Sequence, residues 1–171
     1  MKIEAIGKTE LDKFKKLILP MVYEELEDNW VPTGPEGDTY LCMAAFDDDG
    51  TAAAALIIEL EITGDMNVLS IYTLPGYRRR GFGRELLDRA VITCRQLFLW
   101  EEGETEEQVV LKVLYRLPKE ADIVFEAFLK ASGFTDFVLL DMVDELPVYS
   151  AFAEIRFFRE NGAEQVLNAV K

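Results

Sequence analysis

The stretch Asn67-Val68-Leu69-Ser70-Ile71-Tyr72-Thr73-Leu74-Pro75-Gly76-Tyr77-Arg78-Arg79-Arg80-Gly81-Phe82-Gly83 decides how this chain folds. Val68 to Leu74 reads as a strand. Pro75 has no backbone donor and ends strand pairing near Leu74. Gly81 and Gly83 permit positive φ and let the backbone approach a ligand with no Cβ in the way. From Phe82 onward, Phe82, Leu86, Leu87, Ala90, Val91, Cys94, Leu97 and Phe98 recur at helical offsets. The first turn of that helix has N–H groups without intrahelical partners and carries the positive end of the dipole. Strand end, glycine turn and helix start together make an anion cradle suited to a pyrophosphate, with arginines to add charge. A surface turn that is merely rich in arginine is the plainer alternative.

The bulk numbers frame this segment. At 171 residues the chain is one domain, 1–171. A domain of that size buries roughly 70% of its unfolded surface, so it needs neither metal nor disulfide, and no metal is expected. The apolar fraction of 50% and the 11% aromatic residues fit an ordinary core. Eighteen basic residues face 32 acidic ones, a formal net charge of −14. Such a surface repels phosphate backbones and anionic lipid, so neither nucleic acid nor membrane is an expected partner. It attracts protonated amines, although acidity that serves only solubility is the simpler account. Arg78, Arg79, Arg80, Arg84 and Arg89 form a local basic exception. The absence of histidine removes His-based triads, His-ligated zinc and imidazole bases. Cys42 and Cys94 sit in apolar segments and read as buried free thiols. Met1-Lys2-Ile3-Glu4-Ala5 lacks the apolar run of a signal peptide, and no apolar stretch reaches membrane-spanning length. A soluble, cytoplasmic protein is expected.

Along the chain, Ile3 to Ile6 alternates as a short strand ending at Gly7. Thr9 is expected to cap a helix with Leu11, Phe14, Leu17 and Ile18 on one face, interrupted by Pro20 and resumed from Met21 to about Asp28. Asn29 to Asp38, with Pro32, Gly34, Pro35 and Gly37, reads as a loop and a candidate lid. Tyr40 to Phe46 and Ala52 to Ile62 read as antiparallel strands joined by Asp47-Asp48-Asp49-Gly50. That run resembles the start of a calcium loop but lacks its closing glutamate, and a hairpin turn explains it better. Glu101 to Gln108 is an acidic connection, Val109 to Tyr115 a strand, and Lys119 to Ala131 a helix stopped by Gly133, with Ile123, Phe125, Phe128 and Leu129 apolar. Phe137 to Val143 and Val148 to Phe158 are two more strands joined through Glu145-Leu146-Pro147, and Asn161 to Lys171 is read as a short C-terminal helix. The expected fold class is α/β (α+β): a single domain with a mixed, mostly antiparallel sheet flanked by helices.

Competing motifs fit the central turn less well. A dinucleotide fingerprint wants a third glycine where Leu86 stands, and a P-loop wants a Gly-Lys-Ser/Thr that is missing. The run Arg78-x-x-Gly81-x-Gly83, after Pro75-Gly76-Tyr77 and a strand, resembles the acyl-CoA-binding motif of the GNAT N-acetyltransferase superfamily, and the element order extends the similarity over essentially the whole chain. The resemblance implies acetyl-CoA as co-substrate. It assigns the pyrophosphate to the turn Arg78, Arg79, Arg80, Gly81, Phe82 and Gly83, and the pantetheine arm to the main chain of Ile71, Tyr72 and Thr73.

The same resemblance implies an amine that attacks the thioester directly, a carbonyl polarised by a strand amide near Thr73, and an acid for the departing thiolate. The family's usual acid is a tyrosine four residues before a Gly-Phe pair. Here that pair is Gly133-Phe134 and the position holds Leu129, while the asparagine often found seven residues earlier is matched by Asp122. Tyr115, at the end of the fifth strand, is the replacement candidate for the acid, with a half-buried structural tyrosine as its alternative. Glu59 and Glu61, on one face of the third strand, are candidate bases, with solvated strand residues as theirs. Trp30 and Tyr40 could wall an acceptor pocket, and Tyr149 and Ser150 lie on the strand pair that borders the acceptor in the family. The expected function is acetyl transfer to a small cationic molecule or peptide amine. The alternative is an acyl-CoA-binding or regulatory module that kept the cradle and lost the acid. A homodimer, or association through the tail, is compatible with either.

Overall fold

In the computed structural model, residues 1–30, 40–61, 65–97, 110–115, 119–143 and 146–154 are described. The expected lid after Trp30, the acidic connection at 101–108, Phe98, the end of the last strand and the tail at 161–171 lie outside the described residues.

Among the described residues seven strands form one sheet: β1 (Lys2–Ala5), β2 (Tyr40–Phe46), β3 (Ala52–Leu60), β4 (Met66–Thr73), β5 (Val110–Tyr115), β6 (Thr135–Val143) and β7 (Leu146–Glu154), in the order β1-β2-β3-β4-β5-β7-β6. The described strand pairs are antiparallel except β4 with β5. The described α-helices, α1 (Pro20–Asn29), α2 (Phe82–Leu97) and α3 (Lys119–Ala131), flank this mixed, mostly antiparallel sheet. Leu146 and Pro147 belong to β7 rather than to the preceding connection, with Pro147 opposite Met142 near the start of the strand.

Alternation along β2 and β3 sends side chains to two cores. Leu41, Met43, Ala45, Leu56 and Ile58 pack under Leu86, Leu87, Ala90 and Val91 of α2, while Cys42, Ala44, Ala55 and Ile57 pack under Leu11, Phe14, Leu17 and Leu26. The segment that supplies Leu11 to Leu17 is a 3-10 helix, Lys8–Leu17, and not the expected α-helix. Its buried residues recur every third position, the period of that geometry. Gly7 precedes it without a side-chain cap, so Thr9 does not play that part. Ile18, in extended conformation, ends the 3-10 run, and after Leu19 Pro20 opens α1 at a position where its missing N–H costs nothing. Ile123 also departs from expectation: it is exposed, whereas Leu129 of α3 is fully buried.

The Asp47–Gly50 run is a hairpin turn. Asp47 Oδ1 accepts the amides of Asp49 (3.1 Å) and Thr51 (2.8 Å), and Gly50 takes φ +78°. Gly133, at φ +89°, ends α3 with the Phe134 amide bonded to the Leu129 carbonyl at 3.0 Å.

Ser70 joins the two halves of the fold. Its side chain is buried under α1, and its Oγ accepts the Leu19 amide at 3.1 Å. Ser70→Ala leaves that N–H without its partner and is expected to cost about 1–3 kcal/mol. Urea unfolding measures this, and an unchanged midpoint would show that the bond contributes nothing.

Candidate active site

β4 carries an extra residue opposite β3. Ile58 pairs with Val68 and Ile57 with Ser70, so Leu69 bulges. The bulge breaks alternation: Leu69 and Ser70, consecutive in sequence, both face the α1 side, where Leu69 packs into that core and Ser70 meets Leu19. A bulge bends and twists its strand, and here the pairing of β4 with β5 stops at the same place. The parallel ladder runs only from Met66↔Leu111 to Val68↔Val113. Beyond it, Ser70 to Thr73 stay paired with β3, and Leu114 and Tyr115 with β7. The two strands therefore separate, and the edge of β4 from Leu69 to Thr73, about 13 Å at a rise of about 3.3 Å per residue, borders a gap.

At the far end of this edge lies the arginine turn. A short 3-10 turn, Pro75–Tyr77, follows Leu74, whose amide is held by the Ala53 carbonyl at 2.9 Å. Arg79 takes φ +61° and Gly81 φ +89°. The first bond of α2 runs from the Glu85 amide to the Gly81 carbonyl at 3.0 Å, so the amides of Gly81, Phe82 and Gly83 precede it. A Cβ built on Gly81 meets nothing within 4 Å, so the turn faces open space at the helix N-terminus. This is the geometry a pyrophosphate requires. Gly83 has another role than the one expected. Its φ is not positive, and an added Cβ would lie 3.1 Å from the ring of Phe128, so this glycine lets α2 pack closely on α3.

The arginines frame the turn. Arg78 Nε donates to the Thr73 carbonyl at 3.2 Å, with its guanidinium 5.8 Å from the Tyr72 ring centroid. Arg80 lies over the rings of Tyr77 and Phe82, at 5.2 and 5.5 Å. Arg84 pairs with Asp88 at 3.0 Å and donates to the Ala131 carbonyl at 3.1 Å, joining α2 to the end of α3. Tyr77 ties the turn to the β2–β3 hairpin through its hydroxyl, which donates to Asp47 Oδ2 at 2.8 Å.

Where β4 and β5 part, a cleft of about 450 Å³ opens on the α1 face, lined by Val22, Glu59, Asn67, Leu69, Lys112, Leu114, Leu140, Ser150 and Phe152 among others. A smaller one of about 100 Å³, lined by Met1, Asp47, Asp48, Arg80 and Phe82, lies between the arginine turn and the β2–β3 hairpin. Glu59 is thus brought to the larger cleft. Asn67 donates to Glu59 at 3.3 Å and to Glu61 at 2.7 Å, and Lys112 pairs with Asp65 at 2.6 Å and Glu61 at 3.7 Å. The hydrogen bond to Asp65 pushes the Lys112 ammonium up, so it stays charged. Burial, and then the charges of Glu25 and Glu59, push the Tyr40 hydroxyl up. Asn67, Asp65 and Lys112 escaped the sequence reading. The available signal was their spacing: Asn67 with Leu69, and Lys112 with Leu114, alternate onto the face that Glu59 occupies.

Tyr115 lies on the opposite, α2 and α3 face. It is buried, stacked on Tyr149 at 5.6 Å and edge-on to Phe125 at 5.2 Å. Leu129 sits in the same core at 1% exposure. Ser150 is buried in the cleft wall, and Trp30 packs on Tyr40 at 6.4 Å beneath α1. Burial pushes the Cys94 thiol up to about 12, so it is no nucleophile at neutral pH.

The Tyr77 hydroxyl is the main reason that Asp47 is held below the usual carboxylate range, followed by the Thr51 amide. A depressed carboxylate pKa gives stability that is present above the unfolded value and lost as pH falls through the folded one. Tyr77→Phe should therefore raise the Asp47 pKa. The stability gap to wild type should be full at neutral pH and shrink on acidification. Carboxyl NMR titration checks this, and superimposable Asp47 curves would contradict it.

A sequence search among curated proteins finds no match. The family model described as Acetyltransferase (GNAT) family matches residues 8–110. Among solved structures, the ribosomal-protein-S18-alanine N-acetyltransferase from Escherichia coli superposes with TM-score 0.62 at 17% identity, covering 90% of this chain and 93% of that one. A GNAT-family acetyltransferase from Staphylococcus aureus gives 0.63 at 13%, covering 90% and 98%. A point mutant of spermidine N-acetyltransferase from Vibrio cholerae gives 0.62 at 11%, covering 92% and 95%. At these identities the structures establish a shared fold. With that fold, and a family model spanning well over half of its length, the chain belongs to the GNAT acetyltransferase family.

Proposed function

We propose that the protein is an N-acetyltransferase that moves an acetyl group from acetyl-CoA to a primary amine, either a small cationic molecule or a peptide amine. The observation that carries this reading is the gap between β4 and β5, which leads from the Gly81 turn to the cleft holding Glu59. A cytoplasmic setting accords with Cys42 and Cys94, which are buried and not joined in a disulfide. Among the described residues, no helix is long and apolar enough to cross a membrane.

Acetyl-CoA supplies the activated acetyl thioester. The amides of Gly81, Phe82 and Gly83 hold its pyrophosphate, with Arg78, Arg79 and Arg80 providing surrounding positive charge. The main chain of Ile71, Tyr72 and Thr73 holds the pantetheine arm along the free edge of β4. Because the cleft meets the gap at Val68, Leu69 and Val113, the reacting atoms belong beside the bulge rather than beside Thr73. A β4 amide facing the gap polarises the acetyl carbonyl. Glu59 takes a proton from the acceptor ammonium, directly or through water. As the C–N bond forms and the C–S bond breaks, the leaving thiolate takes a proton from the Tyr115 hydroxyl, and the second nitrogen proton, shed as the amide forms, passes through water to restore that hydroxyl. The spermidine and ribosomal-protein enzymes of the same fold act, by their names, on amines of both proposed kinds.

One observation favours the second reading, a binding or regulatory module without turnover. Leu129, where relatives carry the tyrosine acid, is fully buried in the core.

Saturating acetyl-CoA should raise the melting temperature, since a ligand at 100 times its Kd adds about 2.7 kcal/mol. Gly81→Glu, which puts a side chain and a negative charge into the turn, should abolish that shift. No shift with wild type would overturn both readings. In a CoA-release assay with a panel of amines, Glu59→Gln should lower kcat/KM on the order of 100-fold. Tyr115→Phe should lower kcat, and unchanged turnover would remove Tyr115 from the mechanism. Binding without release for any amine would favour the module.

A further inference from the structure

The cleft has a charged end and an apolar end. Among the described residues Glu59, Asn67 and Lys112 line its β3–β4 side, and Glu61 and Asp65 stand behind them as partners of Asn67 and Lys112, so three carboxylates surround one ammonium. This end therefore suits a cation. Asn67 bridges Glu59 and Glu61, and Lys112 ties Glu61 to Asp65, so the group is held in place by its own hydrogen bonds.

The β5–β7–β6 side is different. Leu114, Leu140 and Phe152 line it, and Val22 of α1 contributes a further apolar wall. Leu114 and Leu140 are 64% and 54% exposed, although they lie on the sheet face whose other half is covered by the 3-10 helix and α1. Apolar surface open to water beside a charged cluster gains from a ligand that covers it, by about 25 cal/mol per Å². Among the described residues that line this side there is no carboxylate, so a second positive charge here would lie against leucine and phenylalanine and lose hydration.

We infer that the acceptor is a monocationic primary amine with an apolar body, its ammonium at Glu59 and its alkyl or aryl part over Leu114, Leu140 and Phe152. This rests on the reading of the cleft as the acceptor site for acetyl transfer. It narrows that reading, because it disfavours polyamines and other acceptors charged along their length.

Hexylamine and hexamethylenediamine present the same reactive group and the same chain length, and differ in the charge at the far end. CoA release from acetyl-CoA should give hexylamine a kcat/KM about tenfold higher or more. Leu140→Asp, at an exposed position, should shrink or invert this ratio, and Leu114→Asp should do the same. Val143→Asp, on the same strand, should leave the ratio unchanged. Retention of the acetyl-CoA melting shift confirms that each variant is folded. Equal or faster turnover of the diamine by wild type overturns the inference and leaves acetyl transfer standing. Absence of release with either amine, from protein that still binds acetyl-CoA, overturns both. If Leu140→Asp leaves the ratio unchanged but dissociates a dimer in light scattering, the apolar face belongs to a second copy and the inference falls.

Discussion

Leu69 has no residue opposite it in β3, and the strand that contains it parts from β5 one step earlier, at Val68. An extra residue in one strand of an antiparallel pair increases its local twist, which carries the end of β4 away from its parallel neighbour. Each strand keeps its outer partner, β3 on one side and β7 on the other, so the sheet opens without losing continuity. The free edge and the cleft both begin at this one irregularity. Without it β4 and β5 could stay paired as far as Ser70 and Tyr115, closing the gap beside Leu69.

Keeping such a gap open requires the elements around it to be fixed by something other than β4–β5 pairing. On the α1 side, Ser70 takes the Leu19 amide and holds the break between the 3-10 helix and α1 against the bulge. On the α2 side, the Tyr77–Asp47 bond, the Arg78 clamp on the Thr73 carbonyl and the Arg84 link to Ala131 fasten the turn to three different parts of the chain. The basic cluster thus orders the turn as well as charging it. Gly83 completes the arrangement by letting Phe128 approach, while Gly81 provides the left-handed turn.

Much of this was legible in the residues alone. The turn from Arg78 to Gly83 combines a strand-ending proline, a positive-φ glycine and an amphipathic helix within a short span, and each of these acts locally. The limits of β2 and α3 were equally readable, because Tyr40 to Phe46 is bounded by turn residues and α3 ends at a glycine cap. The bulge was not legible, since it exists only in the register between β3 and β4, and no residue type marks Leu69. The 3-10 geometry was missed although Leu11, Phe14 and Leu17 repeat every third residue, because Ile18 extends the pattern toward an α-helical one. The two glycines of the motif could not be told apart for the same reason as the bulge: what crowds Gly83 is Phe128, forty-five residues away in the chain. Likewise, Glu59 was identifiable as a carboxylate on a strand face, but its partner Asn67 and the nearby Lys112 come together only through sheet pairing.

The central claim is that the free edge of β4 and the Gly81 turn form one continuous ligand-binding surface. Residue-resolved amide hydrogen exchange with and without acetyl-CoA tests it most directly. The account predicts slowed exchange in β4 beyond the bulge and at Gly81 to Gly83, with β1 and β2 unaffected. Binding that protected the turn but left Leu69 to Thr73 exchanging as in the free protein would contradict it.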